Sequence, residues 1–363
     1  MKKLLLSVLA ISALVACSKS DVIEMPQSQA IKFGSAFVDN STKAAYDPID
    51  PTWEYNRDGA QFYVWGKLTP EVPVGTTAIS TNIFNGTQVV NVKSGNNNVG
   101  NTWFYSSEDI QYWIPSVNYN FAAIAGIGNA ATDVTRDGNL MPASISYDAS
   151  TQKDLVYATA EAEGKTSANN EVKFTFSHLL SKVKFTFVNN YPTNSSKTNL
   201  YLKVSDIKIV DAYKKASYVI GDLSPWTLGS SPETYTQNFG ISVSLQEDAK
   251  HKDFIAPGCS SVSEYERLMI PASYNNTFKI SFKAQVYLLQ GDGGAEGDYT
   301  EITALQMDYP SSSPLTVNQT ITLNPANSYN FRVELGGALE PIKFSVENLN
   351  GWTPDANYTG KIN

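Results

Sequence analysis

Apolar and polar residues alternate in short segments along most of this chain, a pattern typical of half-buried β-strands. The clearest examples are Val172–Phe176 and Lys182–Val188, in which valine and phenylalanine alternate with lysine and threonine. The same criterion predicts further strands, among them Ala30–Val38, Gln61–Lys67, Asn118–Ile127, Leu200–Val210, Thr277–Leu289, Tyr329–Leu335 and Ile342–Val346. Helical periodicity is almost absent, and Asn139–Asp154 is the one longer segment without strand character.

Short strands joined by Asn, Gly, Ser and Pro predict an all-β protein and not alternating strands and helices. A chain of this length, with 42% hydrophobic residues, has enough apolar side chains for two cores. We therefore expect two tandem antiparallel β-sandwich domains, an N-terminal one over residues 30–178 and a C-terminal one over residues 179–363. The predicted seam lies near Ser177–Leu180, between the two clearest strands.

The first residues of the chain predict export. Lys2 and Lys3 precede an apolar run from Leu4 to Ala16 that is too short to span a bilayer. The run ends in Leu14-Val15-Ala16-Cys17, which resembles the bacterial lipobox, whose cysteine is diacylated and becomes the first residue of the mature protein. We expect residues 1–16 to be a lipoprotein signal peptide, Cys17 to carry the lipid, and residues 17–29 to form a tether.

Charge and cysteine content narrow the function classes. The formal net charge is −8 and no segment concentrates Lys or Arg, so no nucleic-acid partner is expected. Only two cysteines are present. If lipid occupies Cys17, then Cys259 has no cysteine left to pair with, and an intramolecular disulfide is excluded.

The residues that carry catalytic or metal chemistry are scarce. The only histidines, His178 and His251, lie in unrelated sequence contexts, and no zinc, phosphate-loop or nucleophile-elbow spacing is found. We therefore predict no enzyme activity, no metal and no cofactor. His178 is expected to be a hydrogen-bonded histidine within a sandwich, and most of the six tryptophans are expected in the cores.

An ordered series of short motifs gives a more specific indication. Its central and strongest member is Phe174-Thr175-Phe176-Ser177-His178-Leu179-Leu180-Ser181-Lys182-Val183. The other members, in chain order, are Ile31-Lys32-Phe33, Ser41-Thr42-Lys43-Ala44, Tyr112-Trp113, Tyr119-Asn120-Phe121, Asp154-Leu155-Val156-Tyr157-Ala158, Leu268-Met269-Ile270-Pro271-Ala272, Asn324-Pro325-Ala326-Asn327-Ser328-Tyr329 and Ile342-Lys343-Phe344-Ser345-Val346 with Trp352. Together they resemble the fimbrillin family of Bacteroidetes, the lipoprotein precursors of type V pili, over nearly the whole chain.

The resemblance implies transthyretin-like sandwiches, an outer-membrane lipoprotein precursor, and a later place in a cell-surface fimbrium. In that family a trypsin-like or arginine-specific protease removes the first strand, and a strand from another subunit fills the groove that remains. Here the removable strand would carry Ile31, Phe33 and Phe37 on one face, and the cut would fall between Lys43 and Ala44. The family more often has arginine at the cut site, so processing here requires a protease that accepts lysine.

The candidate donor strand carries Ile342, Phe344 and Val346 on one face. The implied partners are other fimbrial subunits and the outer membrane, through the lipid, with a host or bacterial surface receptor as a candidate target of adhesion. A stalk and a tip position in the fibre both remain open. The alternative function is a surface glycan-binding lipoprotein, because six tryptophans and 20 tyrosines could provide rings on which sugars stack.

Overall fold

The computed structural model describes sixteen segments of the chain, and every structural statement below concerns these residues. They are residues 30–38, 60–93, 101–138, 140–164, 171–192, 198–223, 225–228, 234–239, 242–244, 254–263, 266–275, 277–290, 300–305, 315–317, 320–336 and 342–348. Strands dominate these segments, so the predicted all-β class is confirmed.

A seven-stranded sheet occupies the N-terminal half. Its spatial order is β1 (Lys32–Val38), β9 (Glu171–His178), β8 (Val156–Glu163), β5 (Val117–Ala125), β2 (Gln61–Pro70), β3 (Thr81–Lys93) and β4 (Asn101–Phe104). Strand β1 also approaches β4, so the two edges of the sheet lie close together.

Two larger sheets occupy the C-terminal half. One joins β15 (Ser242–Ser244), β16 (Ser260–Ser263), β10 (Ser181–Asn189), β23 (Ser328–Leu335) and β24 (Lys343–Asn348), with β17 (Arg267–Met269) also paired to β10. The other joins β14 (Thr234–Asn238), β11 (Thr198–Tyr213), β19 (Lys279–Gln290) and β20 (Thr300–Leu305), with β21 (Leu315–Thr316) also paired to β19.

A four-stranded sheet connects the two halves of the chain. It contains β13 (Trp226–Leu228), β12 (Lys215–Val219), β7 (Pro142–Asp148) and β6 (Val134–Arg136), and a separate pair is formed by β18 (Ser273–Asn275) and β22 (Thr320–Thr322). The expectation that Asn139–Asp154 lacks strand character is therefore wrong. Strand β7 was missed because Ile145 and Tyr147 are its only large apolar residues, and its partner β12 lies far along the chain.

Most neighbouring strands in the described segments run antiparallel, as predicted, but two pairs of strands there run parallel. These are β1 with β9 and β10 with β23. The predicted seam near residue 178 separates the first of these pairs from the second, while the pairing of β7 with β12 crosses it. The position of the domain boundary stays a prediction.

Helices are short in the described segments. They are α1 (Ala130–Asp133) and two 3-10 turns, Ser107–Asp109 and Ala149–Thr151. None of the helices in these segments combines the length and the apolar character needed to cross a bilayer.

Three clusters of buried apolar side chains form the cores. One fills the N-terminal half and includes Ile31 and Phe33, one fills the C-terminal half, and the third lies between the four-stranded sheet and residues of both halves. In the third cluster Ile145 packs with Leu179, Leu180 and Leu268, so the two halves share buried apolar surface.

Candidate functional site

Strand β1 forms one edge of the seven-stranded sheet. It pairs only with β9 in the described segments, in parallel, with Lys32 opposite Glu171 and Phe33 opposite Val172. The register then shifts, and pairing resumes with Ala36 opposite Phe174. Strand β1 is therefore held by two short ladders with an irregularity between them.

The two residues that precede β1 are held by the segment that follows β4. Ala30 forms a single bridge with Tyr112, and the Ile31 amide donates a hydrogen bond of 2.8 Å to the Gln111 carbonyl oxygen. The Tyr105 hydroxyl donates a hydrogen bond of 2.6 Å to the carbonyl oxygen of Ile31. Burial raises the pKa of the Tyr105 hydroxyl above its ordinary value of 10.0.

The predicted apolar face of β1 is buried. Ile31 is 1% exposed and Phe33 is 3% exposed, whereas Lys32 between them is exposed. The ring of Phe33 lies in a cluster of aromatic side chains, with ring-centre distances of 5.4 Å to Phe84, 5.6 Å to Tyr105, 5.9 Å to Phe174, 6.1 Å to Phe62 and 6.3 Å to Phe121. These rings come from four different strands and from the residue that follows β4, so removal of Phe33 would leave a pocket in the centre of the N-terminal core.

The other residues predicted to take part in export and strand exchange lie partly or wholly outside the described part of the molecule. The backbone of Phe37 lies opposite Thr175, but its side chain lies outside the described part of the molecule. Cys17, Lys43 and Ala44 also lie outside the described residues. Lipidation and processing at these positions stay predictions.

The candidate donor strand β24 lies at the edge of its own sheet, paired with β23 alone in the described segments. Ile342, Phe344 and Val346 are half-buried against the C-terminal core, and the Phe344 ring stacks on Phe331 with their centres 5.8 Å apart. Their neighbours Lys343 and Ser345 are exposed. The predicted alternation of β24 is thus present, with its apolar face covered on one side.

The histidine and tryptophan side chains in the described segments are buried or half-buried. His178 lies at the end of β9, with its Nδ1 atom 2.7 Å from the Asp154 Oδ2 atom. Trp65, Trp103 and Trp113 are buried and Trp226 is half-buried, while Trp53, Trp352 and His251 lie outside the described residues. No cluster of His, Cys, Asp or Glu in the described residues could hold a metal ion.

A separate groove of about 670 Å³ lies beside the four-stranded sheet. One wall is the loop from Gly126 to Gly128, and the other includes Ser146, Ser217 and Thr227, which lie opposite one another on adjacent strands. Lys153 also lines this groove. Sequence reasoning missed this groove, because a row of hydroxyl groups on three separate segments has no local signal.

Sequence reasoning also missed Tyr105 and Gln111, which hold the start of β1. The only available signal was the strand pattern around Trp103 to Tyr105, which indicates that Trp103 and Tyr105 face the same side. That pattern does not reveal which strand those side chains meet.

Comparison with known proteins gives one family match. Residues 42–352 match the family described as fimbrillin-like. A solved fimbrial protein from Bacteroides vulgatus is similar, with 15% identity, coverage of 89% of this chain and 99% of that chain, and a TM-score of 0.52. A candidate cell adhesion protein from Bacteroides uniformis aligns with 14% identity, coverage of 91% of this chain and 99% of that chain, and a TM-score of 0.45. No curated protein matches the sequence.

Proposed function

Because this chain belongs to the fimbrillin-like family, we propose that it is a stalk or tip subunit of a surface fimbrium that assembles by exchange of strand β1. Its role is adhesion and not catalysis, and its partners are other fimbrial subunits. The similar fold of the Bacteroides vulgatus fimbrial protein supports the architecture on which this proposal rests.

The observation that carries the proposal is the position of β1. It is an edge strand, it lies near the chain start, and it fills the N-terminal core with Ile31 and Phe33. Burial of two such side chains contributes about 3–6 kcal/mol. Loss of β1 would expose this apolar surface and the unpaired backbone groups of β9, and an incoming strand would satisfy both.

Strand β24 is the proposed donor. The tripeptide Ile31-Lys32-Phe33, which leads into β1, recurs as Ile342-Lys343-Phe344, which leads into β24. A β24 strand from another copy that ran in the direction of β1 would bring an isoleucine and a phenylalanine to the positions that Ile31 and Phe33 leave. The exposed Lys343 would then take the exposed position of Lys32.

Export and processing complete the proposal. Cys17 would carry the lipid that holds the precursor at the outer membrane, and cleavage between Lys43 and Ala44 would release β1. The release also separates the body from its lipid, because Cys17 and β1 lie on the same side of the cut.

Limited proteolysis tests this proposal. Trypsin should convert the monomeric precursor into a ladder of oligomers, and N-terminal sequencing should give Ala44 as the first residue of the large fragment. The Lys43→Ala variant should remain monomeric under the same conditions, whereas Lys32→Ala should behave as the parent. A parent protein that is cut at Lys43 and stays monomeric would refute assembly by strand exchange.

The groove beside the four-stranded sheet supports a second candidate function, glycan binding. Its hydroxyl row of Ser146, Ser217 and Thr227, next to Lys153, offers hydrogen-bonding groups to a saccharide. A glycan array tests it with the parent and with Ser217→Val. Binding that is lost in this variant would establish the groove as a saccharide site, and an array without binding would exclude it for the glycans present.

A further inference from the structure

Exposed large apolar side chains are concentrated in one part of the described molecule. Nearly all of them lie between Val72 and Ile114, and the exception is Leu223. Val74 is 107% exposed and Ile79 is 80% exposed, in the loop between β2 and β3. Exposed apolar residues scattered singly need no explanation, whereas a concentration of them indicates an interaction surface.

Several of these side chains lie on the segment after β4, which contacts the start of β1. The segment after β4 holds Ala30 through Tyr112 and Ile31 through Gln111, and Glu71 donates its amide to the Ser116 carbonyl oxygen, which joins the β2–β3 loop to the same region. We call the following side chains the apolar collar: Val74, Ile79, Phe104, Ile110, Tyr112 and Ile114.

Contacts of Trp113 and of the Ile114 backbone fix the position of part of the collar. Trp113 is buried against Tyr119, with their ring centres 4.8 Å apart, and the Ile114 amide donates a hydrogen bond of 2.7 Å to the Tyr119 hydroxyl. Anchoring of Trp113 and of the Ile114 backbone leaves the side chains of Tyr112 and Ile114 pointing to solvent. The core therefore does not need these two side chains to be apolar.

We propose that the apolar collar is the docking surface for the body of a second copy of this chain, the copy whose strand replaces β1. This inference rests on the proposed function and adds a contact outside the exchanged strand. A replacement strand that runs in the direction of β1 must begin at the collar, because Ile31 lies between Tyr105 and Gln111.

The order of elements in the donor places its body at the same point. Strand β24 follows β23 after residues 336–342, which span at most about 25 Å when fully extended. If β24 enters parallel to β9, the donor body precedes the inserted strand and is held next to the collar. An antiparallel entry would hold it at the other end of the groove, away from the collar.

The charge of the chain also favours an apolar contact between two copies. Two copies of this chain, whose full sequence carries a net charge of −8, are both acidic and repel one another at long range, so an uncharged apolar contact suits their docking better than a charged one. Salt screens this repulsion over about 10 Å at 0.1 M. Polymerisation is therefore expected to become faster as salt rises.

The test separates docking of the body from insertion of the strand. The mature chain with Cys17→Ser is cut with trypsin, and polymer growth is followed by light scattering. Access to the groove is measured with a fluorescent peptide that has the sequence of residues 30–38. The Val74→Asp/Ile79→Asp variant should bind this peptide within about twofold of the parent and polymerise at least about tenfold more slowly, because it loses apolar contact area.

The control is Leu223→Asp, which places one of the two added negative charges on a side chain that is 102% exposed outside the collar. It should polymerise as the parent does. If the collar variant and the parent polymerise at equal rates, the inference is overturned while strand exchange stands. A parent that neither binds the peptide nor polymerises refutes the proposed function instead.

Two further outcomes are decided by additional measurements. If the charged loop lowers peptide binding, Ile110→Ser/Ile114→Ser, at two collar residues outside the bridge to Ala30, decides the inference by the same comparison. Flotation with phosphatidylethanolamine vesicles tests a lipid surface as the occupant. A collar variant that loses vesicle association and polymerises normally would assign the collar to lipid and overturn the docking of a second copy.

Discussion

The side-chain amide of Gln152 forms hydrogen bonds with both backbone groups of Leu268. Its Oε1 atom accepts from the Leu268 amide at 3.0 Å, and its Nε2 atom donates to the Leu268 carbonyl oxygen at 3.0 Å. Gln152 has a positive φ of 53° at the end of a 3-10 turn in the N-terminal half, and Leu268 is buried in the C-terminal half. One side chain thus imitates a strand partner between the two halves.

Replacement of this glutamine should weaken the whole fold. Gln152→Ala removes two hydrogen bonds to a buried residue, and we expect the free energy of unfolding to fall by about 1–3 kcal/mol. Urea unfolding measures the change. The control Gln88→Ala alters an exposed glutamine and should stay within about 0.5 kcal/mol of the parent. Equal losses in the two variants would contradict a special role for Gln152.

Phe33 should be the main stabilising side chain of β1. Phe33→Ala would leave a cavity among five aromatic rings, and we expect a loss of about 3–5 kcal/mol in the uncut precursor. Lys32→Ala, on the exposed side of the same strand, is the matched control. Unfolding in urea compares the two, and a Phe33→Ala precursor as stable as Lys32→Ala would show that the ring contributes little.

Phe344 should be required for donation and not for acceptance. The cut Phe344→Ser chain should still bind the peptide of residues 30–38, but it should not polymerise alone, because its donor strand lacks the ring that fills the Phe33 pocket. Mixed with cut parent, it should shorten the polymers seen by electron microscopy. Ser345→Ala changes the exposed face of the same strand and should polymerise normally. Normal polymers from Phe344→Ser would assign the donor strand elsewhere.

Alkaline pH should destabilise the protein through Tyr157. Burial, and secondarily Tyr218, raises the pKa of Tyr157 to about 12 from its ordinary value of 10.0. Between these pH values the unfolded chain loses the proton before the folded chain does, so stability present below pH 10 falls as pH rises toward 12. The expected loss from this group is about 2–3 kcal/mol at pH 12. In urea unfolding between pH 8 and 11, Tyr157→Phe should show a shallower decline than the parent, and an equal decline would contradict the assignment.

The alternation of apolar and polar residues predicted which side chains of β9 are buried, but it did not do so for β10, although the two strands look alike in sequence. In β9, Val172, Phe174 and Phe176 are buried and the residues between them are exposed, as predicted. In β10 the intervening Lys184 is only 3% exposed and Thr186 is also buried, where its hydroxyl pairs with the Asn330 side chain. The strands that flank Lys184 and Thr186 in the sheet are β23 and β16, which lie far along the chain, so no local pattern records these neighbours.

The candidate site was predictable in part for the same reason. Alternation identified Ile31 and Phe33 as one apolar face, and the structure buries both. The parallel direction of β1 along β9 and the hydrogen bond from Tyr105 depend on contacts distant in sequence. The collar was missed because Val74 and Ile79 lie in a loop with no periodic pattern, and their exposure is a property of the fold alone.

The irregular pairing between Phe33 and Ala36 bears on how one strand could displace another. Because β1 pairs with β9 in two separate ladders, the end of β1 that the cut would free, from Val38 back to Ala36, can detach while Phe33 stays inserted. An invading strand could take that vacated half as a toehold and then advance by branch migration, as one nucleic-acid strand displaces another. The incoming strand would replace β1 step by step, so the apolar groove would not be exposed to water during the exchange.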